Sequence, residues 1–278
     1  MTTTRFAPSP TGRLHLGHAF SALFAERAAR AAGGRFLLRL EDIDRARCRA
    51  EFATAILDDL SWLGVRWDGA VRRQSEHFAD YRAALDHLAT RTLLYPCFCT
   101  RKDIRDEIAR AGHAPHGPDG PLYPGTCRTL SHADRDRRIA DGASYALRLD
   151  VTRARAAISG DLVFADRDAG RIAADPVQFG DVVLARKDVP TSYHLAVTVD
   201  DALQGVTVVT RGVDLLPATH VHRLLQALLD LPVPDYHHHR LLTDAAGQRL
   251  AKRADSVSLA TLRAAGTDPA AIRTQLGF

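Results

Sequence analysis

Hydrophobic positions in the first part of the chain change from alternating to helical spacing and back again. Residues 3–7 predict a short strand that ends at two prolines, followed by a turn at Gly12. Apolar residues then recur at the spacing of a helix, which a glycine pair ends: Leu16, Phe20, Leu23 and Phe24. Residues 35–40 are apolar on both faces, as in a buried strand. This order predicts the βαβ unit of an α/β protein.

The same two patterns continue downstream. Helical spacing returns at 51–63, 78–90 and 221–229, and a capping Ser or Thr in 190–196 opens another helix. Extended runs are expected at 93–96, 144–151, 161–164, 181–184 and 205–210. We therefore predict a Rossmann-type sheet in two halves, residues 1–96 and 178–240. An insertion at 97–177 separates them, and residues 241–278 form a loop and short helices.

Composition narrows the class of protein. The chain has 278 residues, 46% of them hydrophobic, and a net charge of +4, so it can bury one large core or two modest ones and is compatible with an anionic partner without requiring one. It shows no signal peptide and no apolar run of about 18 residues, so we expect a cytoplasmic protein without membrane contact. Its four cysteines, three of them clustered, do not form the pattern of a disulfide framework.

The first motif with chemistry is His15-Leu16-Gly17-His18, placed where the first strand turns into a helix. A helix N-terminus attracts anions, and Gly17 lets a base or a phosphate approach the backbone. Two histidine donors beside it suit a triphosphate whose α-phosphorus is attacked. The alternative is a polar turn with two surface histidines. Because the motif follows Pro-Ser-Pro-Thr-Gly and opens a helix, we favour an ATP site.

Charged residues follow several predicted strands. Arg5 ends the first strand, Glu41 ends the second, and Arg211 follows residues 205–210. Carboxyl ends of parallel strands face the ligand crevice, and two guanidinium groups there suit bidentate binding of a dicarboxylic amino acid. The alternatives are a surface cation at Arg211 and a packed aromatic ring at Tyr193. Asp44 is expected to cap the helix at 51–63.

The insertion opens with a cysteine pair. Cys97, Cys99 and the later Cys127 offer three thiolates, a set that favours Zn²⁺. The alternative is that these are reduced core cysteines. On spacing alone the fourth ligand stays open among three side chains: His113, His116 and Tyr123. The three histidines at 237–239 alternate between two faces of a strand, so they predict a solvated strand entry rather than a metal site.

Taken together, the motifs resemble the glutamyl branch of the class I aminoacyl-tRNA synthetases. The matching segments are R-F-A-P-S-P-T-G at 5–12, H-L-G-H at 15–18, R-L-E-D-I-D at 39–44, L-G-V-R-W-D at 63–68, the Tyr193 and Arg211 motifs, and R-L-A-K-R at 249–253. The last departs from the family's K-L-S-K at Arg249 and Ala251 and keeps Lys252.

The resemblance implies roles for individual residues. Glutamate would be held by Arg5, Phe6, Ala7, Pro8, Ser9, Glu41, Tyr193 and Arg211. ATP, with Mg²⁺, would be bound by His15, Gly17, His18 and Lys252, of which the two histidines and the lysine are catalytic. The family's short tRNA-modifying paralogues hold one structural zinc ion per chain, and their ligands match Cys97, Cys99, Tyr123 and Cys127.

Resemblance extends over nearly the whole chain but only to the catalytic part of a full synthetase, so we expect no anticodon-binding domain. The short paralogues activate L-glutamate with ATP without tRNA. They then transfer it to queuosine at the wobble position, which makes the tRNA(Asp) anticodon stem-loop the expected partner of a monomer. Three alternatives remain: a minimal glutamyl-tRNA synthetase that charges a tRNA 3′ end, an H-x-G-H nucleotidyltransferase and a catalytically weak RNA-binding module.

Overall fold

A computed structural model describes residues 1–110, 116–118, 120–242 and 257–278. The strands in this part of the chain are β1 (Thr3–Phe6), β2 (Arg35–Leu40), β3 (Arg72–Arg73), β4 (Leu94–Cys97), β5 (His116–Gly117), β6 (Gly120–Pro121), β7 (Ala146–Leu149), β8 (Val163–Asp166), β9 (Gly170–Ala173), β10 (Val183–Ala185), β11 (Val208–Gly212) and β12 (Asp235–His239). The helices are α1 (Leu16–Ala31), α2 (Ala50–Trp62), α3 (Phe78–Thr90), α4 (Arg101–Arg110), α5 (His132–Ala140), α6 (Val151–Ala156), α7 (Tyr193–Leu203), α8 (Ala218–Leu228), α9 (Leu259–Ala264) and α10 (Pro269–Leu276).

Parallel strands form the centre of the molecule. β1, β2 and β3 pair in parallel, and β11, β12 and β8 do the same, with β9 antiparallel to β8. The two groups meet where β1 lies beside β11, and the backbone N–H of Thr207 donates to the carbonyl of Thr3 at 3.0 Å. The α/β prediction is therefore confirmed, and the carboxyl ends of four strands converge on one edge.

Three strands differ from the sequence prediction in their partners. β4 and β10 both pair antiparallel with β7 in a separate three-stranded sheet, so assigning residues 93–96 and 181–184 to the Rossmann-type sheet was wrong. β8 was expected in the insertion, but it pairs with β12 in the parallel sheet. The pattern of a short strand shows which faces are buried and does not specify its neighbour. The division into four segments stays a prediction.

Two hydrophobic cores support these sheets. The first packs β1 and β2 against α1, α2, α9 and α10. The second joins α3, α6, α7 and α8 with β7 and β10. The C-terminal helices are fixed to the first motif, because the backbone N–H of Leu259 donates to the carbonyl of Leu14 at 2.8 Å and His15 forms a β-bridge with Ser258.

Two local expectations were wrong. Histidines 237–239 do not form a solvated strand entry: they lie on β12, which is covered on both edges by β11 and β8, and His238 and His239 are each 5% exposed. Asp44 does not cap α2, whose N-cap is Arg49. Its carboxylate instead accepts hydrogen bonds from Arg47 and Arg186. None of the helices in the described ranges is both long and apolar enough to span a bilayer.

Candidate active site

A cavity of about 460 Å³ opens at the carboxyl ends of β1, β2, β11 and β12, beside the N-termini of α1 and α7. This is the position at which open parallel sheets bind ligands. Its walls are formed by Arg5, Phe6, Ala7, His15, Gly17, His18, Phe20, Ser21, Glu41, Tyr193, Thr210, Arg211, Gly212, Asp214, Leu215, His239, Arg240, Leu241 and Leu242.

The two histidines of the first motif share one arrangement. His15 is the N-cap of α1, and its Nδ1 accepts a hydrogen bond from the backbone N–H of Gly17 at 3.1 Å. Nδ1 of His18 accepts from the backbone N–H of His15 at 3.2 Å. A neutral imidazole whose Nδ1 is an acceptor carries its proton on Nε2. Both rings therefore offer an Nε2–H donor at the helix N-terminus that lines the cavity.

Arg5 is held by a carboxylate from α7. Its Nε donates to Oδ1 of Asp201 at 2.9 Å, and its Nη1 donates to the carbonyl of Thr210 at 2.9 Å. Arg39, fully buried, donates to the same carboxylate oxygen at 2.9 Å. Although burial alone would raise the pKa of Asp201, the two arginines hold it below its usual value. The positive charge of Arg5 is thus already balanced inside the protein.

The neighbouring Asp200 completes this buried network. Its carboxylate accepts from Arg72 at 2.7 Å, from Gln74 at 2.8 Å and from the hydroxyl of Tyr81 at 2.9 Å. Desolvation, followed by the Asp200 charge, raises the pKa of Tyr81. The pair of aspartates on α7 therefore ties this helix to β1, β2, β3 and α3.

Arg211 has a different environment. Its Nε donates to Nε2 of His238 at 3.1 Å and its Nη2 donates to the hydroxyl of Thr219 at 2.6 Å. Its Nη1 lies 3.2 Å from Nδ1 of His222 and 3.3 Å from the hydroxyl of Tyr193. Arg211 is only 6% exposed, and these hydrogen-bond partners in the described part of the chain are not carboxylates.

The histidines around Arg211 are neutral at physiological pH. Burial, then the charge of Arg211, lowers the pKa of His238 to about 4 and that of His222 well below its usual value. Burial likewise lowers the pKa of His194, which contacts His222, to about 4. Nδ1 of His238 lies 2.7 Å from a carboxylate oxygen of Asp166. The guanidinium of Arg211 is therefore a buried cation in direct contact with neutral acceptors.

Glu41 and Tyr193 complete this part of the cavity. Oε1 of Glu41 lies 3.4 Å from Nη2 of Arg39. Burial raises the pKa of Glu41, and the Arg39 charge offsets that effect only in part. Burial also raises the pKa of Tyr193, so its hydroxyl keeps its proton. A buried carboxylate whose negative charge is only partly balanced by its neighbours is suited to bind the ammonium group of a ligand.

The cysteine cluster forms a separate site in the insertion. The three thiol sulfurs of Cys97, Cys99 and Cys127 lie within 4.8 Å of one another, and the Tyr123 hydroxyl is 3.4 Å from the first sulfur and 3.7 Å from the second. Burial would raise the pKa of Cys127, but the Phe98 N–H and the Tyr123 hydroxyl lower it overall. Three convergent sulfurs and one oxygen fit a four-coordinate metal.

The structure brings most of the predicted site residues together. Those that line the cavity are Arg5, Phe6, Ala7, His15, Gly17, His18, Glu41, Tyr193 and Arg211. Pro8 is buried outside that lining and Ser9 is exposed. Lys252, Arg249 and Ala251 lie outside the described residues, as does His113. The segment that carries Lys252 nevertheless begins after Leu242, which lines the cavity, and ends before Ser258, which pairs with His15.

Sequence reasoning missed the residues that hold the two arginines. Asp201 holds Arg5, while Thr219, His222 and His238 hold Arg211. The adjacent aspartates in α7 offered a signal, because charged residues in an otherwise apolar helix require partners. The histidines offered none, because their contacts cross between α8, β11 and β12.

Comparisons with known proteins agree with this geometry. Residues 1–277 match the family of class I tRNA synthetases for glutamate and glutamine, catalytic domain. A glutamyl-Q tRNA(Asp) synthetase of Rhodobacter capsulatus is 50% identical over 278 residues, which cover 99% of each chain. A second protein of that name, from Symbiobacterium thermophilum, is 45% identical over 100% of this chain and 86% of its own length.

A solved structure shows the same fold. The crystal structure of a glutamate tRNA ligase from Elizabethkingia meningosepticum, in complex with its amino acid, aligns with a TM-score of 0.82 and 26% identity. The alignment covers 100% of this chain and 60% of that ligase.

Proposed function

Since the chain belongs to the class I glutamyl and glutaminyl tRNA synthetase family and is a ligase of that family, we propose that it activates L-glutamate with ATP and transfers it to queuosine in tRNA(Asp). Activation proceeds without tRNA, and the acceptor is the wobble nucleoside of the anticodon stem-loop. The protein works as a cytoplasmic monomer.

The observation that carries the glutamate assignment is the environment of Arg211. Among the described residues, the direct hydrogen-bond partners of this buried guanidinium are neutral side chains, so none of them supplies a counterion, which is costly in a low-dielectric site. The side-chain carboxylate of glutamate supplies that charge. Glutamine fills the same volume but carries none, so the pocket favours glutamate.

The remaining polar groups fit the other end of the amino acid. Glu41 pairs with the ammonium group, because its own burial is only partly compensated by Arg39. Arg5 is balanced by Asp201 and acts as an oriented donor rather than as an extra charge. The substrate is thereby fixed at three points, a condition for bringing its α-carboxylate close to a second reactant.

ATP occupies the end of the cavity formed by the first motif. An oxygen of the glutamate α-carboxylate attacks the α-phosphorus of ATP, the bond to the β-phosphate oxygen breaks, and glutamyl-adenylate and pyrophosphate result. The Nε2–H groups of His15 and His18 donate to the phosphoryl oxygens on which charge grows. Lys252 neutralises the leaving pyrophosphate, and Mg²⁺ accompanies the nucleotide.

The cysteine cluster would hold one structural zinc ion. Cys97, Cys99, Tyr123 and Cys127 would supply its four ligands, which would leave no position open for a catalytic water. Because these residues come from the end of β4 and from the segment before α5, the ion would stabilise the contact between them. Its place in the insertion, away from the residues of the cavity, gives it a role in RNA docking rather than in activation.

Queuosine is the proposed acceptor because its cyclopentene ring carries two neighbouring hydroxyls, like the ribose at a tRNA 3′ end. Unpaired bases in a loop are also the part of an RNA that a protein reads most directly. The names of the two relatives at 50% and 45% identity support this assignment. The structural likeness to a glutamate tRNA ligase favours the second candidate, the charging of a tRNA 3′ end.

Two assays test the proposal. ATP–pyrophosphate exchange with each amino acid, without tRNA, should respond to glutamate and not to aspartate or glutamine. Radiolabelled glutamate should then enter tRNA(Asp) that contains queuosine. Removal of the terminal 3′ adenosine should leave this label in place, and replacement of queuosine by guanosine should abolish it. Label that remains with the 3′ end after nuclease digestion would replace the proposal by the second candidate.

A further inference from the structure

We infer that His222, together with His194 and His238, positions Arg211 in one orientation and thereby sets the preference for glutamate over aspartate. This inference rests on the proposed binding of glutamate to Arg211. None of the three histidines lines the cavity, so they act through Arg211 and do not touch the substrate.

The direction of the hydrogen bonds follows from the chemistry of arginine. A guanidinium only donates, so Nδ1 of His222, 3.2 Å from Nη1 of Arg211, must be an acceptor. The neutral ring then carries its proton on Nε2, which lies 3.2 Å from Nδ1 of His194. That nitrogen accepts in turn, so His194 carries its proton on Nε2. The two hydrogen bonds that link Arg211, His222 and His194 can therefore run in only one direction, from Arg211 to His222 and from His222 to His194.

His238 holds a second edge of the same guanidinium. Its Nε2 accepts from Nε of Arg211 at 3.1 Å, which places its proton on Nδ1, 2.7 Å from Oδ2 of Asp166. The backbone N–H of His238 also donates to that oxygen at 3.1 Å. Asp166 at the end of β8 thus fixes both the ring and the tautomer of His238, as carboxylates do for catalytic histidines.

Three elements hold the side chain of Arg211, which itself lies on β11: α8 through His222 and Thr219, β12 through His238, and α7 through the hydroxyl of Tyr193. Both histidines and the threonine are buried, with exposures of 5% or less, whereas Tyr193 lines the cavity. The guanidinium cannot turn without losing a hydrogen bond in a desolvated site, where an unpaired polar group is costly.

A fixed guanidinium discriminates by length. Aspartate is one methylene shorter than glutamate, so its carboxylate reaches Arg211 only if the guanidinium moves towards it. Histidines that hold the guanidinium in place oppose that movement, whereas a released side chain can follow the shorter substrate. The order of magnitude for one methylene group is ~10- to 200-fold in kcat/KM.

Exchange kinetics of three variants test this role. His222→Leu removes the acceptor, and we expect the KM for glutamate to rise about 10- to 100-fold, the range for one hydrogen bond to a charged group, with the KM for ATP unchanged. The ratio of kcat/KM for glutamate to that for aspartate should fall. His222→Gln keeps an acceptor and a donor and should restore most of both quantities.

The control is His220→Leu, two residues away on α8. Its Nδ1 accepts from the backbone N–H of Asp175 at 2.8 Å, so this variant loses a comparable hydrogen bond without touching Arg211. Equal effects of the two leucine variants, or an unchanged glutamate-to-aspartate ratio in His222→Leu, would overturn the inference. Failure of the wild-type chain to exchange with glutamate would instead overturn the proposed function.

Nitrogen-15 NMR of the histidine rings gives a readout that does not depend on activity. We expect neutral rings at pH 7, with the proton on Nε2 in His222 and His194 and on Nδ1 in His238. A protonated Nδ1 in His222 would contradict the hydrogen bond from Arg211. In His222→Gln the signals of His238 should persist, because Asp166 still fixes that ring.

Discussion

At the scale of single residues, charge distinguishes two arginines that the sequence presents as equivalent. Asp201 balances Arg5, whereas Arg211 contacts neutral acceptors. Loss of the Arg211 guanidinium leaves the substrate carboxylate buried and unpaired, which costs roughly 2–5 kcal/mol. We expect Arg211→Ala to lower kcat/KM for glutamate in the exchange assay by the factor that corresponds to this free energy. Arg223→Ala is the control, because Arg223 on α8 donates to the carbonyl of Val163 and, among the described residues, is not a partner of Arg211.

His15 has two roles that one substitution can separate. Its Nδ1 caps α1, and its Nε2–H is the proposed donor to the phosphates. His15→Asn retains a good N-cap acceptor, but its shorter side chain does not place a donor at the position of Nε2–H, so stability should be kept while adenylate formation slows by about 10²–10³. His15→Ala should lose about 1 kcal/mol of stability as well. A variant whose sole defect is a raised KM for ATP would show that the residue only binds nucleotide.

The sequence allowed several residues that line the cavity to be predicted, because strand ends and helix starts are local features. Arg5, Glu41 and Tyr193 all line the cavity as expected. Their supporting partners could not be predicted, because Asp201 reaches Arg5 across 196 residues of chain. Side-chain contacts of that kind depend on how helices pack against the sheet, which periodicity does not encode.

At the scale of elements, the cysteine segment is organised independently of the cavity. We expect one zinc ion per chain, and we expect Cys97→Ser to lose it and to impair transfer to RNA more than ATP–pyrophosphate exchange. Cys48→Ser is the matched control, because Cys48 lies outside the cluster. Metal analysis of both variants checks this, and an unchanged zinc content in Cys97→Ser would mean that these thiols only pack.

Elements were predicted better than their pairing. α3 matches its predicted range, residues 78–90, and β2 matches 35–40, since long or fully apolar patterns are specific. β4 and β10 were placed in the wrong sheet because each has only a few residues and both neighbours come from distant segments. Hydrophobic alternation determines the buried face of such strands, whereas the partner depends on loop geometry and on the remaining sheet edges.

At the scale of the whole molecule, buried histidines make stability depend on pH. The pKa values of His194 and His238 are lowered to about 4 in the folded protein. The unfolded chain, with ordinary values near ~6.5, binds more protons between these limits, so stability is full above pH ~6.5 and is lost as the pH falls towards 4. Each histidine contributes on the order of 3 kcal/mol over that range.

Urea unfolding at several pH values checks this sign. The free energy of unfolding of the wild-type chain should fall steadily from pH ~6.5 to ~4.5. His238→Gln should have a shallower slope, because it removes one of the buried histidines whose pKa is lowered in the folded protein. Asp44 titrates lower, since Arg47 and then Arg186 hold its pKa at about 2, and so it does not contribute in this window. If the free energy of unfolding of the wild-type chain did not change over this pH range, the conclusion that the folded protein keeps these histidines neutral would be wrong.

The contact between β1 and β11 also has a consequence for synthesis on the ribosome. β1 is synthesised well before Thr207, to which it hydrogen-bonds and which lies 204 residues later in the chain. Until that segment appears, one edge of β1 has no partner and presents its backbone groups to other chains. Pairing over such a long separation is slow, so the nascent chain passes through a long aggregation-sensitive stage in which a chaperone is of most use.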